Sequence, residues 1–262
     1  MTFSRRRRFA ALALAALAVT GAWAQAPAAD YPNKPIRLVV PFAPGGGTDL
    51  IARTLGAGMA QALGQPVVID NKPGAGTVIG TDFVAKSAPD GYTLVIASFA
   101  HAVNPSLVPK LPYASDKAFA PVILIGRGPN VLVVRTNSPF KTVKDVVAAA
   151  AANPEKISYA SQGNGTSAHL AGEMFTNLAK VKMTHVPYKG AGPALTDVVG
   201  GQVDVMFATS SAVGALIDGG KLRALAVTTP QRNANFPNVP TAIESGVPGY
   251  DFASWGGVFA PA

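Results

Sequence analysis

From residue 31 onward, short apolar runs alternate with glycine- and proline-rich loops and with segments of helical period. Residues 36–40, Ile-Arg-Leu-Val-Val, have the composition and length of a strand. A loop over 41–47 follows, and then Ile51, Leu55, Met59 and Leu63, a stripe spaced by four that predicts a helix stopped by Gly64. The unit recurs with a strand over 67–69, a loop over 71–76 and a helix carrying Val78, Ile79, Phe83 and Val84. A Pro89-Asp90-Gly91 turn and a strand over 93–96 come next. Residues 98–120 show no clear period and predict irregular chain.

Two β-rich runs, 122–125 and 131–135, flank Gly126-Arg127-Gly128-Pro129, the expected crossing between domains. The unit then resumes. Thr142 caps a helix running to Asn153, and a strand over 157–160, a glycine loop over 161–166 and a helix over 168–180 follow. A strand over 183–186 and a helix over 193–199 lead to strands over 203–207 and 222–227, separated by a short helix over 212–218. Beyond Thr228 the chain is rich in Pro and Asn, and Thr241-Ala242-Ile243-Glu244 has the spacing of a capping box, predicting one short helix. Strand and helix alternating in this way predict an α/β protein with largely parallel sheets. The order predicts two lobes: residues 25–125 with a return segment over 230–262, and residues 126–229.

Composition removes several classes of function. Apolar residues make up 48% and charged residues 14%, which excludes charge-driven disorder. With no cysteine there is no disulfide, thiolate zinc site, iron–sulfur cluster or cysteine nucleophile. The formal charge of +8 points at first to an anionic polymer, but four of the positive charges are Arg5, Arg6, Arg7 and Arg8. These precede an apolar run over 9–19 and the small-residue pattern Gly21-Ala22-Trp23-Ala24, together the layout of an export signal. The run is too short to span a membrane. Export with cleavage after Ala24 is expected, leaving residues 25–262 with a charge of +4, too dilute for nucleic-acid binding. The paired arginines leave the general secretory and twin-arginine routes both open.

The loop Phe42-Ala43-Pro44-Gly45-Gly46-Gly47-Thr48-Asp49 lies where ligands bind in open α/β sheets, between the carboxyl end of a strand and the amino end of a helix. Its glycines permit close backbone approach, and the helix end favours an anion or carboxylate. Loops over 71–76, 161–167 and 187–192 are similarly placed and are expected to converge with it on one interlobe cleft. Lys72 and Lys189 bring cationic charge to these loops. Rival motifs fail. Residues 214–222 imitate a phosphate loop, but Gly220 displaces the lysine and Leu222 replaces the hydroxyl. Gly74, Gly76 and Gly80 hint at a dinucleotide loop, yet no acidic residue ends the next strand. His101, His169 and His185 lack metalloprotease spacing, no serine stands in a nucleophile elbow, and the acidic residues are scattered. No cofactor and no metal are expected. An exported hydrolase with a Ser-His pair assembled in space stays open.

Several segments resemble the Bug family of extracytoplasmic solute receptors. They are Tyr31-Pro32-Asn33-Lys34-Pro35-Ile36-Arg37-Leu38-Val39-Val40 running on through Asp49, Asn71-Lys72-Pro73-Gly74-Ala75-Gly76, and Pro89-Asp90-Gly91-Tyr92-Thr93-Leu94. Further matches follow in order over 161–170, in Val186-Pro187-Tyr188-Lys189-Gly190 and Gly201-Gln202-Val203-Asp204, over 220–228, and in Val239-Pro240-Thr241-Ala242-Ile243-Glu244-Ser245-Gly246. The resemblance implies a non-enzymatic receptor of a tripartite tricarboxylate transporter. The implied fold is the two-lobed type II periplasmic-binding-protein fold, each lobe a mostly parallel sheet flanked by helices, closing as a monomer on a small organic acid. The implied partners are that acid and the transporter's membrane subunits, although a sensor protein is an alternative partner. The implied ligand residues are Phe42, Ala43, Pro44, Gly45, Gly46, Gly47, Thr48, Asp49, Gly74, Ala75, Gly76, Ser98, His101, Asn104, Gly163, Thr166, Ser167, His169, Tyr188, Lys189 and Gly190. Two departures stand out. Where the family usually has an Asp after Met-Phe, Phe207 is followed by Ala208-Thr209-Ser210-Ser211, implying a less acidic cleft floor. The chain stops at Ala262 where members continue, so an uncovered apolar patch around residues 36–40 and 93–96 is expected.

Overall fold

The computed structural model describes residues 31–262, so the expected leader and its cleavage point lie outside the described residues. All described helices and strands belong to the unit Lys34–Ala262. In chain order they are β1 (Ile36–Val40), α1 (Gly47–Leu63), β2 (Val67–Asn71), α2 (Val78–Ala85), β3 (Thr93–Ser98), α3 (Phe99–Leu107) and β4 (Phe119–Arg135). Then come α4 (Val143–Ala152), β5 (Ser158–Ser161), α5 (Ser167–Ala179), β6 (Thr184–Pro187), α6 (Ala191–Gly200), β7 (Val205–Thr209), α7 (Ser210–Asp218), β8 (Leu222–Val227) and β9 (Ala253–Pro261).

The sheet runs β2-β1-β3-β9-β4-β7-β5-β6, with β8 also on β4. Two parallel strips, β2-β1-β3 and β6-β5-β7, are joined by antiparallel β9 and β4. Each strip is parallel, as βαβ connections require, and the sheet as a whole is mixed because the two joining strands run against them. Each strip is covered on both faces, which is why Leu38-Val39-Val40 of β1 is an unbroken apolar run. Within β1, Ile36, Leu38 and Val40 pack in one cluster, and Val39 points to the cluster on the opposite face. Within β4, Leu132 and Val134 face one cluster, and Val131 and Val133 the other.

Several local expectations are corrected. The buried face of α1 includes Ala52 and Gly56, while Leu50 and Leu63 are exposed. A Cβ on Gly56 would lie 3.0 Å from Ile69 Cδ1, so small residues are what let this helix lie close to β2. The stretch read as irregular contains α3, whose signal was masked by Pro105 within it. The two runs flanking residues 126–129 are one strand, because β9 pairs Gly126 with Gly256, Arg127 with Trp255, Gly128 with Ser254 and Pro129 with Ala253. At Thr241 both capping-box bonds form: the Glu244 N–H donates to Thr241 Oγ1 (3.0 Å) and the Thr241 N–H to Glu244 Oε2 (2.7 Å). Only turns follow instead of a helix, since Gly246 at φ +99° and Pro248 break the backbone. The expected apolar patch is also misplaced. Residues 36 and 38–40 and the Leu94-Val95-Ile96 run are buried, covered by α1, α2 and β9, whereas Val122, Ile123 and Leu124 are the exposed apolar run.

Candidate functional site

A cavity of about 250 Å³ lies between the two strips. Four helices of eight residues or more begin at its wall: Thr48 lies in the first turn of α1, Ser98 is the N-cap of α3, Thr166 that of α5 and Thr209 that of α7. A helix N-terminus carries unpaired N–H groups and a partial positive charge. The caps Ser98, Thr166 and Thr209 accept no bond from their own helices through the side chain, so those N–H groups stay unsatisfied within the helix.

The hydroxyls and amide around these ends differ in what they have left to offer. Thr166 donates to Gly163 O at 2.6 Å and is spent. Ser167 Oγ accepts from Asn130 Nδ2 at 3.3 Å and keeps its proton. Thr209 Oγ1 is buried without a partner among the described residues. Gln162 is 6% exposed and its amide makes no hydrogen bond among the described residues. The Ser167 proton and the Gln162 amide are left to pair with a polar ligand, whereas Thr209 Oγ1 is sealed from the cavity space. Among the described residues, Arg127 is the one charged residue on the wall, and no carboxylate lines it. That charge pattern selects against cations.

Of the implied ligand residues, Phe42, Thr48, Ser98, Thr166 and Ser167 line this cavity. The glycine loops lie elsewhere, packed against one another. The Ala43 N–H donates to Lys189 O at 2.8 Å, and a Cβ on Gly190 would sit 2.9 Å from Ala43 N. A Cβ on Gly192 would come within 2.4 Å of Pro44 O, and one on Gly46 within 3.1 Å of Ala191 Cβ. Gly47 abuts Ser211, so the positive ends of α1 and α7 meet at contact distance. Gly74 at φ +130°, Ala75 and Gly76 bend the second loop. Gly76 then meets Asn164 O, and Gly163 meets Tyr188 O, again at distances that leave no room for a side chain.

The remaining implied residues are occupied by support. Asp49 takes bonds from Gly45 N (3.1 Å), Arg53 Nε (3.0 Å) and Asn71 Nδ2 (2.9 Å). Burial alone would raise its carboxyl, but these bonds outweigh that and hold it below the usual carboxylate range. Asn104 donates to Gly76 O at 3.0 Å. Tyr188 donates to Asp197 Oδ2 at 2.5 Å, and burial, then Asp197, push its phenol up to about 12. The Lys189 side chain is exposed, and Lys72 pairs with Asp70 at 3.3 Å. His101 packs against Phe119 and Phe259 beside a second cavity, its ionisation lowered by burial.

Behind the loop that carries Gln162 and Thr166 lies a polar cluster. His169 Nδ1 accepts from Gly165 N at 3.2 Å, and its ring stacks on His185 at 4.2 Å. His185 Nε2 contacts Ser161 Oγ at 2.6 Å, and Tyr159, stacked on the other face of His185, donates to Glu173. This is the Ser-His pair that the sequence left open. Ser161 is fully buried and off the cavity wall, so no substrate reaches its hydroxyl. Among the described residues no cluster of three or more His, Asp or Glu could hold a metal, and no helix is long and apolar enough to cross a membrane.

Sequence reasoning did not select Ile51, Ile96, Arg127, Gln162, Thr209, Ser210 or Trp255, all on the wall. The departure at residues 208–211 was the available signal for Thr209 and Ser210.

Comparison with known proteins gives a consistent result. Residues 51–262 match the family described as "Tripartite tricarboxylate transporter family receptor". A protein of Pseudomonas sp. (strain P51), described as a UPF0065 protein in the tcbD-tcbE intergenic region, is 44% identical over 259 residues, covering 98% of this chain and 76% of the relative. BugT of Bordetella pertussis is 41% identical over 247 residues, covering 94% and 76%. Among solved structures, the R. palustris protein Rpa4515 with adipate superposes with a TM-score of 0.85 at 39% identity, covering 88% of this chain and 78% of that one. MatC from Rhodopseudomonas palustris with bound malate gives 0.84 at 38%, covering 88% and 79%. The periplasmic binding protein BugD gives 0.84 at 38%, covering 88% and 77%. The family and these neighbours are solute-binding receptors, not enzymes.

Proposed function

Because the chain belongs to the family of tripartite tricarboxylate transporter receptors, whose members are periplasmic, we propose that it captures a small organic carboxylate in the cavity between its two strips. It then delivers the acid to the membrane subunits of such a transporter. The observation that carries this reading is the convergence of four helix N-termini on a wall that has no carboxylate among the described residues and presents the unpaired amide of Gln162. Relatives with adipate and malate support the same ligand class.

In this reading the lobes are residues 25–125 with 230–262, and residues 126–229, and the leader is removed after Ala24. The receptor acts as a monomer. The glycine loops serve closure: they are the surfaces that meet when the lobes shut over the ligand. A thermal-shift screen tests the class. A carboxylate at 100 times its dissociation constant raises stability by roughly 2.7 kcal/mol, and sugars and cationic amino acids do not. Stabilisation by the latter alone overturns the reading.

A further inference from the structure

The loop glycines described above abut other loops, and Gly257 of β9 is packed too, since a Cβ there would lie 2.9 Å from Ile123 O. Gly126 of β4 and Gly256 of β9 are different. A Cβ on Gly126 would meet nothing within 4 Å, and one on Gly256 only Ala97 O at 3.8 Å. Neither residue has a left-handed φ. Glycine weakens a strand interior, and here neither packing nor backbone conformation calls for it, which leaves close approach of another molecule.

The two glycines are register partners, so both Cβ positions stand on one face of the β4–β9 pair. Gly256 also pairs with Ser98, and along β3 and β9 the same face carries Ile96 and Val258, which pack under α1. Gly128, opposite Ser254, continues that face, its Cβ position 3.3 Å from Ser210 Oγ at the start of α7. This face is the floor of the cavity, lined by Ile96, Ser98, Gly126, Gly128, Ser254 and Gly256. Beside it stands Gln162, 6% exposed, with its unpaired amide on the same wall.

We infer that Gly126 and Gly256 are specificity-determining residues: by leaving the floor bare they give the cavity the depth for an acid with a body of several carbons, and a methyl group on either one excludes that body while still admitting acetate. The inference rests on the carboxylate reading above and adds to it the residues that set the ligand's size. It holds for one carboxylate or several, because Ser98 and Ser254 offer hydroxyls to a polar substituent lying on the floor.

Isothermal titration of the purified protein with acetate, malate, adipate and citrate, at constant ionic strength and pH 7.5, tests this in Gly126→Ala, Gly256→Ala and the double variant. At least one of the three larger acids binds the unchanged protein about tenfold more tightly than acetate. Each added methyl group weakens that acid about tenfold and the pair about a hundredfold, while acetate stays within about twofold. Gly58→Ala, on α1 and off the cavity wall, also adds a Cβ with nothing within 4 Å and leaves all four affinities unchanged. Melting temperatures of the floor variants stay at or above that of the unchanged protein, because alanine restricts the unfolded chain, and this separates lost fit from lost fold. Equal losses for acetate and the larger acid, no loss for any acid, or acetate binding as tightly as the larger acids overturns the inference while leaving the carboxylate reading standing. Failure of all four acids to bind overturns both.

Discussion

The strips β2-β1-β3 and β6-β5-β7 share one plan: a central strand, parallel neighbours on both sides, and a glycine-containing loop leading from the central strand into a helix. Their chemistry at the cavity is nevertheless different. After β1, Asp49, Arg53 and Asn71 tie the loop to itself, and the wall is made by Phe42 and Ile51. After β5, the loop is held from behind by Ser161 and His169, which frees Gln162 and Ser167 to face the cavity. The scaffold is repeated, but the group that stabilises each loop decides which side chains remain for a ligand. One strip spends its polar groups on the loop, the other keeps them for the cavity.

The contact between the strips offers the largest test. In Gly47→Val the added Cβ would lie 2.2 Å from Ser211 Oγ and 2.9 Å from Ala212 N, and backbone cannot move aside as a side chain can. Packing strain of ~1–3 kcal/mol falls on the closed arrangement, so ligand affinity drops ~10- to 100-fold while circular dichroism stays native. Unchanged affinity would falsify the closure role of the loop.

Acid should separate the two loops next, because histidines support the loop after β5, whereas His101 of the first strip packs on Phe119 and Phe259 and makes no bond to the loop after β1. Burial, then the neighbouring His169, lowers His185 to about 4, and burial also lowers His169, with Glu173 opposing both shifts. A lowered imidazole binds fewer protons folded than unfolded, so its stability contribution is complete above pH ~6.5 and is lost as pH falls toward 4. Urea unfolding should show a loss of roughly 2–3 kcal/mol across that window. Hydrogen exchange at residues 163–166 should rise before exchange at residues 43–47. A uniform rise across both loops would remove the distinction.

Smaller effects sharpen the assignment of the wall. Gln162→Leu removes an unpaired amide from the wall and should weaken every carboxylate by about tenfold, near 1.4 kcal/mol, with little change in melting temperature. Lys189→Ala removes an exposed charge that does not line the cavity, so affinity should stay within about twofold at 0.15 M salt. A fivefold loss would return that lysine to the site.

Much of the alternation was legible because parallel strands covered on both faces read as plain apolar runs, and β1 and β3 lie where those runs lie. What escaped depended on distant partners. Residues 126–129 look like a break until Gly256, Trp255, Ser254 and Ala253 arrive to pair with them, and β9 has no local signature of its own. At the site, Thr48 and Thr166 were legible beside predicted helix starts, whereas Ser98 came only with the resemblance, since residues 98–120 read as irregular chain. The glycines were read as room for a ligand, but a missing side chain equally makes room for another loop, and sequence carries no sign of which neighbour fills the space. Thr209 and Ser210 were visible only as an oddity, since a hydroxyl becomes informative once its lack of a partner is known.

The placement of β9 has a consequence for how the molecule is made. Val95 meets Phe259 across more than 150 residues of chain, so β3 waits for almost everything else before its neighbour exists. Closing so long a loop costs little at equilibrium, because the entropy grows only logarithmically with length, but it delays the step. Until then β3 is an open edge on an otherwise formed parallel strip, with a row of free N–H and C=O groups available to any passing strand. In a chain made and moved from its amino end, the half that appears first is thus the half that is finished last, and β9 is the piece that takes its edge out of reach of other chains.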